Sequence, residues 1–196
     1  MHVSEIETPA IVVDLDVMER NLQKVASYAK SHNLRLRPHT KTHKSPKLGR
    51  LQLDYGADGL TVAKVGEAEV MLKSGVSDLL IAYPVVGANK LRRLMDVAEH
   101  VSVTVALDSV DVAIALADAA QGAGKTIDVL VEQDIGLGRV GLQETDDLLR
   151  VAKEVDQLRG LRLRGLNFYP GHIKTSDAEG LAKLDEANAH LERTVE

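Results

Sequence analysis

The stretch RPHTKTHKSP, Arg37 to Pro46, decides how the rest of the sequence can be interpreted. An apolar-alternating run leads into it, and its serine and proline are typical of a helix start. The sequence therefore predicts a strand over 34–38 and a helix over about 45–53. The window from Arg20 to Leu53 contains nine lysines and arginines and no acidic residue. A lysine packed among cations has a destabilised ammonium form, which makes it a candidate amine nucleophile. A solvated basic helix start is the alternative that this stretch alone leaves open.

The composition is that of an ordinary globular chain with an aliphatic core. Of the 196 residues, 44% are hydrophobic and 27% are charged, and there is one phenylalanine and no tryptophan. The absence of cysteine excludes disulfides, cysteine–zinc sites and thiol catalysis. The net charge of −5 gives no reason to expect nucleic acid as a partner.

The first ten residues, MHVSEIETPA, carry acids in place of the basic and apolar regions of a secretory signal. The sequence also lacks a run of about 18 apolar residues, the length that could cross a membrane. It therefore predicts a cytoplasmic protein without a membrane partner.

Strands and helices are predicted to alternate strictly along the chain. Residues 9–15, PAIVVDL, have the character of a short strand, and Asp16 is the expected cap of the helix that follows. Six strand–helix units come next, which predicts an α/β fold with a parallel sheet. The strands of these units are predicted at 34–38, 60–63, 78–83, 101–107, 127–132 and 161–168.

Two architectures fit this alternation, an open doubly wound sheet and a (β/α)8 barrel. A barrel needs eight units and typically about 250 residues. If the chain is a barrel, it stops two units early.

Polar side chains follow the predicted strands, where both architectures place their ligand sites. The convergence of these residues on one rim predicts an active site, although loops are polar in any protein. The residues are Lys41, Lys64, Tyr83, Asp108, Asp134, Arg139, Tyr169, His172, Lys174 and Thr175.

The loop Gly136 to Gly141 matches the GxGxxG pattern but does not predict a dinucleotide site. It follows the fifth strand, its helix is expected only near Glu144, and the next strand does not end in an acid. We expect instead a glycine-shaped loop that presents Arg139 inward to an anionic oxygen. Pairing of Arg139 with Asp134 is the alternative.

The loop YPGHIKTS, Tyr169 to Ser176, combines a tight turn with hydroxyl groups ahead of a helix. This pattern suits a phosphate at a helix N-terminus, and a plain Pro-Gly turn is the alternative. His39, His43 and His172 do not have the spacing of a metal-ligand set, so no metal ligands are predicted in this chain.

Together, RPHTKTHKSP, DIGLGRVG and GLNFYPGH resemble the alanine-racemase-type barrel of fold type III pyridoxal-phosphate enzymes. The D-threonine aldolase and D-serine dehydratase branch is the most similar, and the opening ETPAIVVDLDVMERNL also resembles it. The resemblance covers essentially the whole chain. It implies a (β/α)8 barrel of the alanine racemase kind, present here as about six units.

The resemblance implies roles for individual residues around bound pyridoxal 5'-phosphate. Lys41, and not Lys44, would form the Schiff base with the cofactor, and His39 would line the pocket. Arg139 would contact the ring oxygen of the cofactor and Tyr169 would lie beside its ring. The turn at Gly171 and His172 would lie near the phosphate.

The resemblance further implies a pyridoxal-phosphate-dependent lyase that acts on D-amino acids. A D-threonine aldolase, which cleaves a D-3-hydroxy amino acid to glycine and an aldehyde, is the first expectation. D-serine dehydratase, which gives pyruvate and ammonia, is the alternative. An amino-acid racemase, a non-catalytic pyridoxal-phosphate-binding protein and an inactive fragment are further alternatives.

Complete members of this branch continue through two more barrel units into a C-terminal β-domain. That domain supplies the ligands of a divalent metal (Mn, Mg or Zn) and, in a homodimer, part of the partner's active site. We therefore expect residues 1–15 to be a strand of that second domain and residues 16–196 to be a partial cofactor-binding barrel. On this view the chain is a fragment that is poorly soluble or inactive alone, and a homodimer is expected for the full-length protein.

Overall fold

Five parallel strands form one sheet, and their order in the sheet is their order along the chain. The computed structural model describes residues 2–195. A doubly wound sheet reverses its strand order at a switch point, whereas this sheet does not, so the order supports the partial barrel. The strands are β1 (Leu60–Val62), β2 (Asp78–Ile81), β3 (Ser102–Leu107), β4 (Ile127–Gln133) and β5 (Leu161–Phe168).

Helices alternate with these strands and cover one face of the sheet. Two single-turn 3-10 helices, Val3–Glu5 and Leu72–Ser74, accompany them. The α-helices within residues 2–195 are α1 (Leu15–Ser31), α2 (Pro46–Asp54), α3 (Val65–Met71), α4 (Ala88–Ala98), α5 (Val110–Gly122), α6 (Thr145–Asp156) and α7 (Ala178–Val195).

The main core lies between the sheet and the helices that follow its strands. Strand residues such as Ile81 and Val129 are fully buried there, against helix residues such as Met71, Leu94 and Leu148. Successive side chains of a strand point to opposite faces, so the residues between them face the inside of the partial barrel. The core therefore fixes which strand residues can reach a site at the barrel mouth.

The predicted strand at 34–38 does not form as a regular strand. Instead, His39 makes an isolated parallel bridge with Thr61 of β1. The Thr61 N–H donates to the Pro38 carbonyl at 2.9 Å, and the Thr40 N–H donates to the Thr61 carbonyl at 2.8 Å. Proline has no N–H, so Pro38 can only accept in such a ladder, which weakens regular pairing. The segment nevertheless lies beside β1, where the first strand of the barrel was expected.

The segment ahead of α1 also differs from the prediction. Residues 9–14 belong to no strand, and Ile11 is 97% exposed. Helix α1 begins at Leu15 because Asp14, and not Asp16, caps it by accepting the Val17 N–H at 3.0 Å. The assignment of residues 1–15 to a second domain stays a prediction.

No α-helix in the described part of the chain is long and apolar enough to span a membrane. The predicted cytoplasmic location is not tested by this finding.

Candidate active site

The Thr40–Lys44 turn carries Lys41 at the carboxyl end of β1. Thr40 is fully buried, and its N–H and its hydroxyl both donate to the Thr61 carbonyl, at 2.8 Å and 3.1 Å. The Lys44 N–H closes the turn on the Thr40 carbonyl at 2.8 Å. Lys41 itself is exposed, and its Nζ lies 5.7 Å from the centroid of the Tyr169 ring. The buried threonine therefore anchors a turn whose lysine faces the neighbouring loops.

The glycine loop after β4 is organised by Asp134. Its carboxylate accepts the Gly136 and Gly138 N–H groups, each at 3.0 Å, and the side-chain amide of Gln143 at 3.1 Å. Burial works against ionisation, but the hydrogen bonds from Gly138, Gln143 and Gly136 outweigh it and lower the pKa of Asp134. Asp134 is thus a loop-shaping carboxylate.

Arg139 is brought inward by that loop, as the sequence predicted. Its Cζ lies 5.3 Å from the centroid of the Tyr169 ring. The alternative pairing of Arg139 with Asp134 is wrong. Its ion-pair partner is Glu132, with 3.8 Å between Arg139 Nη2 and Glu132 Oε1. This long contact leaves most of the guanidinium donors of Arg139 free for a ligand.

Gly141 closes the loop at a position that other residues could not occupy. Its φ is +104°, and a Cβ built there would lie 2.6 Å from the Asp134 nitrogen. The Gly141 N–H donates to Asp108 Oδ2 at 3.0 Å. Helix α6 begins at Thr145 with Glu144 at its N-cap, so it does not open directly on the glycine loop. The prediction of a late helix start near Glu144 is confirmed.

The turn after β5 places Tyr169 and His172. A Cβ on Gly171 would overlap the Tyr169 ring, so glycine permits the ring to fold back over the turn. The His172 ring packs against Gly136, and its Nδ1 is buried without a hydrogen-bond partner among residues 2–195. A buried nitrogen without a partner is uncommon in folded proteins, which marks this turn as a candidate part of the site.

The N-terminus of α7 does not offer free donors to a phosphate in the way that the sequence suggested. Asp177 Oδ1 accepts the Gly180 N–H at 3.0 Å and the Thr175 hydroxyl at 2.8 Å. A phosphate there would compete with a carboxylate. The turn at Gly171 and His172 is therefore the better candidate for phosphate contact.

His39 lies beside the Thr40–Lys44 turn, in surroundings that favour its neutral form. Burial, followed by the charge of Lys41, lowers the pKa of His39 against the opposing effect of Glu67. Its Nδ1 faces the Lys41 N–H at 3.3 Å and can accept a weak hydrogen bond from it. This arrangement leaves Nε2 as the protonated nitrogen of His39.

Two buried carboxylates of the site were not singled out by the sequence. Glu132 is 2% exposed, accepts the Asn167 side-chain amide and faces Arg139. Burial is the main reason that the pKa of Glu132 is raised, against the effects of Asn167 and Arg139. Glu67 is 6% exposed and lies beside Lys44. The one available signal for Glu132 was its place near the carboxyl end of β4, just ahead of the glycine loop.

Several polar residues of the rim are not joined to this cluster. Among the hydrogen bonds and ion pairs of the described residues, none links Lys64, Tyr83 or Lys174 to Lys41 or Arg139. Residues 2–195 also contain no group of three or more His, Asp or Glu side chains placed to hold a metal ion.

Curated relatives resemble this chain over all or most of its length. It is 36% identical to 3-hydroxy-D-aspartate aldolase of Paracoccus denitrificans (strain Pd 1222), over 100% of this chain and 52% of that protein. It is also 36% identical to D-threonine aldolase of an Arthrobacter species, over 87% of this chain and 45% of that protein. The chain thus spans about half the length of these relatives.

The fold and the sequence agree on the family. The crystal structure of D-threonine aldolase from Filomicrobium marinum superimposes with a TM-score of 0.94 at 40% identity, over 98% of this chain and 53% of that one. Residues 13–196 match the family described as "Alanine racemase, N-terminal domain". The predicted partial barrel and the predicted branch are both confirmed. The chain belongs to the alanine racemase N-terminal domain family.

Proposed function

We propose that this chain is the cofactor-binding barrel of a pyridoxal-phosphate-dependent lyase that cleaves D-3-hydroxy amino acids to glycine and an aldehyde. The observation that carries the proposal is the placement of Lys41 Nζ and Arg139 Cζ at 5.7 Å and 5.3 Å from one Tyr169 ring. The similarity to an aldolase of D-threonine and to one of 3-hydroxy-D-aspartate supports the choice of substrate class.

The residues at the barrel mouth fit an anionic, planar aldehyde. Lys41 is exposed, and no carboxylate among residues 2–195 lies within ion-pair distance of its Nζ. Arg139 retains free guanidinium donors, and the Tyr169 side chain is 49% exposed beside both cations. The buried Nδ1 of His172 adds an unpartnered polar atom at the same mouth. A primary amine, a fixed cation and an open aromatic face match the chemistry of pyridoxal phosphate.

Each residue then has a task that its position supports. The Lys41 amine would bind the aldehyde carbon of the cofactor and could supply the proton that the α-carbon takes up once the aldehyde product has left, which gives glycine. The Arg139 guanidinium would donate to an anionic oxygen of the cofactor ring. The Tyr169 ring would limit the position of the cofactor, and the Gly171–His172 turn would face the phosphate. Pyridoxal phosphate, when bound, supplies an electron sink for a carbanion.

The neutral state of His39 supports this arrangement. A protonated imidazole next to Lys41 would add a cation to a region that already carries Lys41 and Arg139. Since burial and Lys41 lower the pKa of His39, the imidazole can line the pocket at neutral pH without a charge. His39 is therefore proposed as a pocket wall and not as an acid.

The proposal is tested by absorbance of the purified chain titrated with pyridoxal phosphate. Wild type is expected to gain a visible band that borohydride removes, and Lys41→Ala is expected to lack it. Lys47→Ala is the matched control, because it removes an exposed lysine at the start of α2 and is expected to keep the band. An equal band in wild type and Lys41→Ala would contradict the proposal, provided that circular dichroism shows both proteins folded.

The metal, the homodimer and the choice of lyase reaction are proposals for the full-length protein. Product analysis with D-threonine and D-serine separates an aldolase, which releases glycine, from a dehydratase, which releases ammonia. Metal content and sedimentation of the full-length protein test the other two. A full-length protein that is active after metal removal, or active as a monomer, would contradict the corresponding proposal.

A further inference from the structure

The carboxylate of Glu67 joins the end of β1 to the start of α3. Its side chain is 7% exposed, and Oε2 accepts the Ala63 N–H at 2.8 Å. Ala63 follows directly on β1, and Glu67 lies in the first turn of α3. A buried carboxylate that accepts a backbone N–H is held in one position, so Glu67 is a fixed anion next to the Thr40–Lys44 turn.

The second oxygen of Glu67 reaches that turn. Oε1 lies 3.4 Å from Lys44 Nζ. Lys44 has a φ of +50°, a left-handed conformation that residues with a side chain rarely adopt. Such a conformation persists where the surrounding structure holds it, and here the Lys44 N–H bonds to Thr40 while its amine pairs with Glu67. Glu67 thus holds Lys44, the last residue of the turn, through its side-chain amine.

The two lysines of the turn differ in their partners. Lys44 Nζ has Glu67, whereas Lys41 Nζ has no carboxylate within ion-pair distance among the described residues and faces the Tyr169 ring. The lysines are three residues apart in the sequence. The folded chain distinguishes them, because Glu67 pairs with Lys44 whereas Lys41 faces Tyr169.

We propose that Glu67 is a positioning residue that binds Lys44 and thereby presents Lys41, and not Lys44, to Arg139 and Tyr169. The inference deepens the proposed function, on which it rests for the identity of the reactive amine. Glu67 does not touch the reacting atoms. It acts by fixing the turn and by engaging the competing amine.

The test compares the reactivity of the two amines without any cofactor. Folded protein is labelled with limiting acetic anhydride, and mass spectrometry gives the ratio of acetylation at Lys41 to that at Lys44. The Glu67→Gln variant keeps an oxygen that can accept the Ala63 N–H but loses the charge. It is expected to lower this ratio about fivefold, because Lys44 is released from its ion pair.

A matched control separates this effect from the loss of any carboxylate on α3. Glu69 lies on the same helix and pairs with Arg93 through its Oε1, at 2.6 Å from Arg93 Nε. Glu69→Gln is expected to leave the Lys41-to-Lys44 ratio within about twofold of wild type, since Glu69 pairs with Arg93 and has no ion pair with either lysine among the described residues. A purely structural role for Glu67 would lower the melting temperature without changing this ratio.

A second readout links the turn to the cofactor. Each protein is treated with pyridoxal phosphate and borohydride, which fixes the cofactor to the nitrogen that reacted with it, and the modified lysine is mapped. Wild type is expected to carry the label on Lys41, and Glu67→Gln is expected to shift an increased share to Lys44. An unchanged acetylation ratio in folded Glu67→Gln would overturn the inference. If wild type carries no label on any lysine, the proposed function fails, while the acetylation ratio still decides the role of Glu67.

Discussion

Both ends of the sheet carry clusters of basic side chains, but the two clusters differ in how closely carboxylates pair with them. At the amino end, the arginines that precede β1 or lie on β5 pair with aspartates of β2 and β4. Arg37 Nη2 lies 2.7 Å from Asp78, and Arg162 Nε lies 2.6 Å from Asp128. At the carboxyl end, Lys41 has no ion-pair partner within residues 2–195, and Arg139 has one only at 3.8 Å.

This difference separates charges that hold the fold from charges that are available to a ligand. Short, directed pairs satisfy the donors of an arginine and leave few of them for another anion. Cations without close carboxylates keep their donors free and favour an incoming anion. The carboxylate partners of the basic residues, and not the number of these residues, distinguish the end of the barrel that carries the candidate site from the opposite end.

Removal of Asp78 is expected to have the largest effect, and to affect stability alone. Asp78 accepts from both Arg35 and Arg37, and Asp78→Ala leaves a partly buried Arg37 without its acceptor. The free energy of unfolding should fall by about 2–3 kcal/mol, measured by urea denaturation. Asp54→Ala, which breaks an exposed pair with Arg50, should cost less than about 0.5 kcal/mol. Equal costs for the two variants would show that the amino-end pairs are not structural.

Substitution of Arg139 is expected to affect ligand binding and not stability. Arg139→Met is expected to weaken pyridoxal phosphate binding about tenfold to thirtyfold, because a charge-assisted hydrogen bond to the ligand is lost. Arg162→Met, at the amino end, serves as the control and should leave the binding constant within about twofold. Fluorescence or absorbance titration measures both. A similar loss of affinity in the two variants would mean that the effect of Arg139 is one of overall charge.

Much of the carboxyl end could be predicted from the sequence, because its residues occur in short local patterns. Lys41, Arg139 and Tyr169 each follow a strand or a bridge to one, and parallel strands bring such positions to one rim. The late start of α6 was also predictable from a local pattern, since it depends on the position of the N-cap residue and of the apolar stripe that follows.

The parts that sequence patterns missed depend on partners that lie far along the chain. Pro38 weakens the regular pairing of its segment with β1. The hydrogen bonds that remain go to Thr61, which lies 23 positions later in the chain (from 38 to 61). Glu132 is buried beside Asn167 and Arg139, and only the folded sheet shows that it faces the site. In the sequence, Glu67 has the spacing of an ordinary helix residue, and only the fold shows that it lies next to Lys44.

The aromatic ring between the two cations should contribute a smaller part of the binding. Tyr169→Leu removes the face that lies near Lys41 and Arg139, and affinity for pyridoxal phosphate should fall about twofold to fivefold. Tyr169→Phe keeps the ring and should stay within about twofold of wild type. The same titration measures both variants. A large loss in Tyr169→Phe would assign the contribution to the hydroxyl group.

The smallest expected effect is a pH dependence of stability that comes from His39, next to the Thr40–Lys44 turn, and His43, within it. Burial lowers the pKa of His39 and of His43. The unfolded chain then binds more protons near the ordinary value of about 6.5, so stability is present above this pH and is lost as the pH falls toward the folded values. The melting temperature falls between pH 7.5 and pH 5.5, and this fall should be smaller in His43→Gln, because the variant no longer has the His43 imidazole that takes up a proton on unfolding. A steeper fall in the variant would contradict the assignment.

The lysine to which pyridoxal phosphate attaches can be identified by chemical labelling of the wild-type protein. Wild-type protein is incubated with pyridoxal phosphate, reduced with borohydride, digested and analysed by mass spectrometry for the lysine that carries the pyridoxyl group. Our account predicts that the label is on Lys41, with Lys44 and the other lysines nearly free of it. A label on Lys44, or one spread evenly over the exposed lysines, would contradict the claim that Lys41 and Arg139 form the binding site.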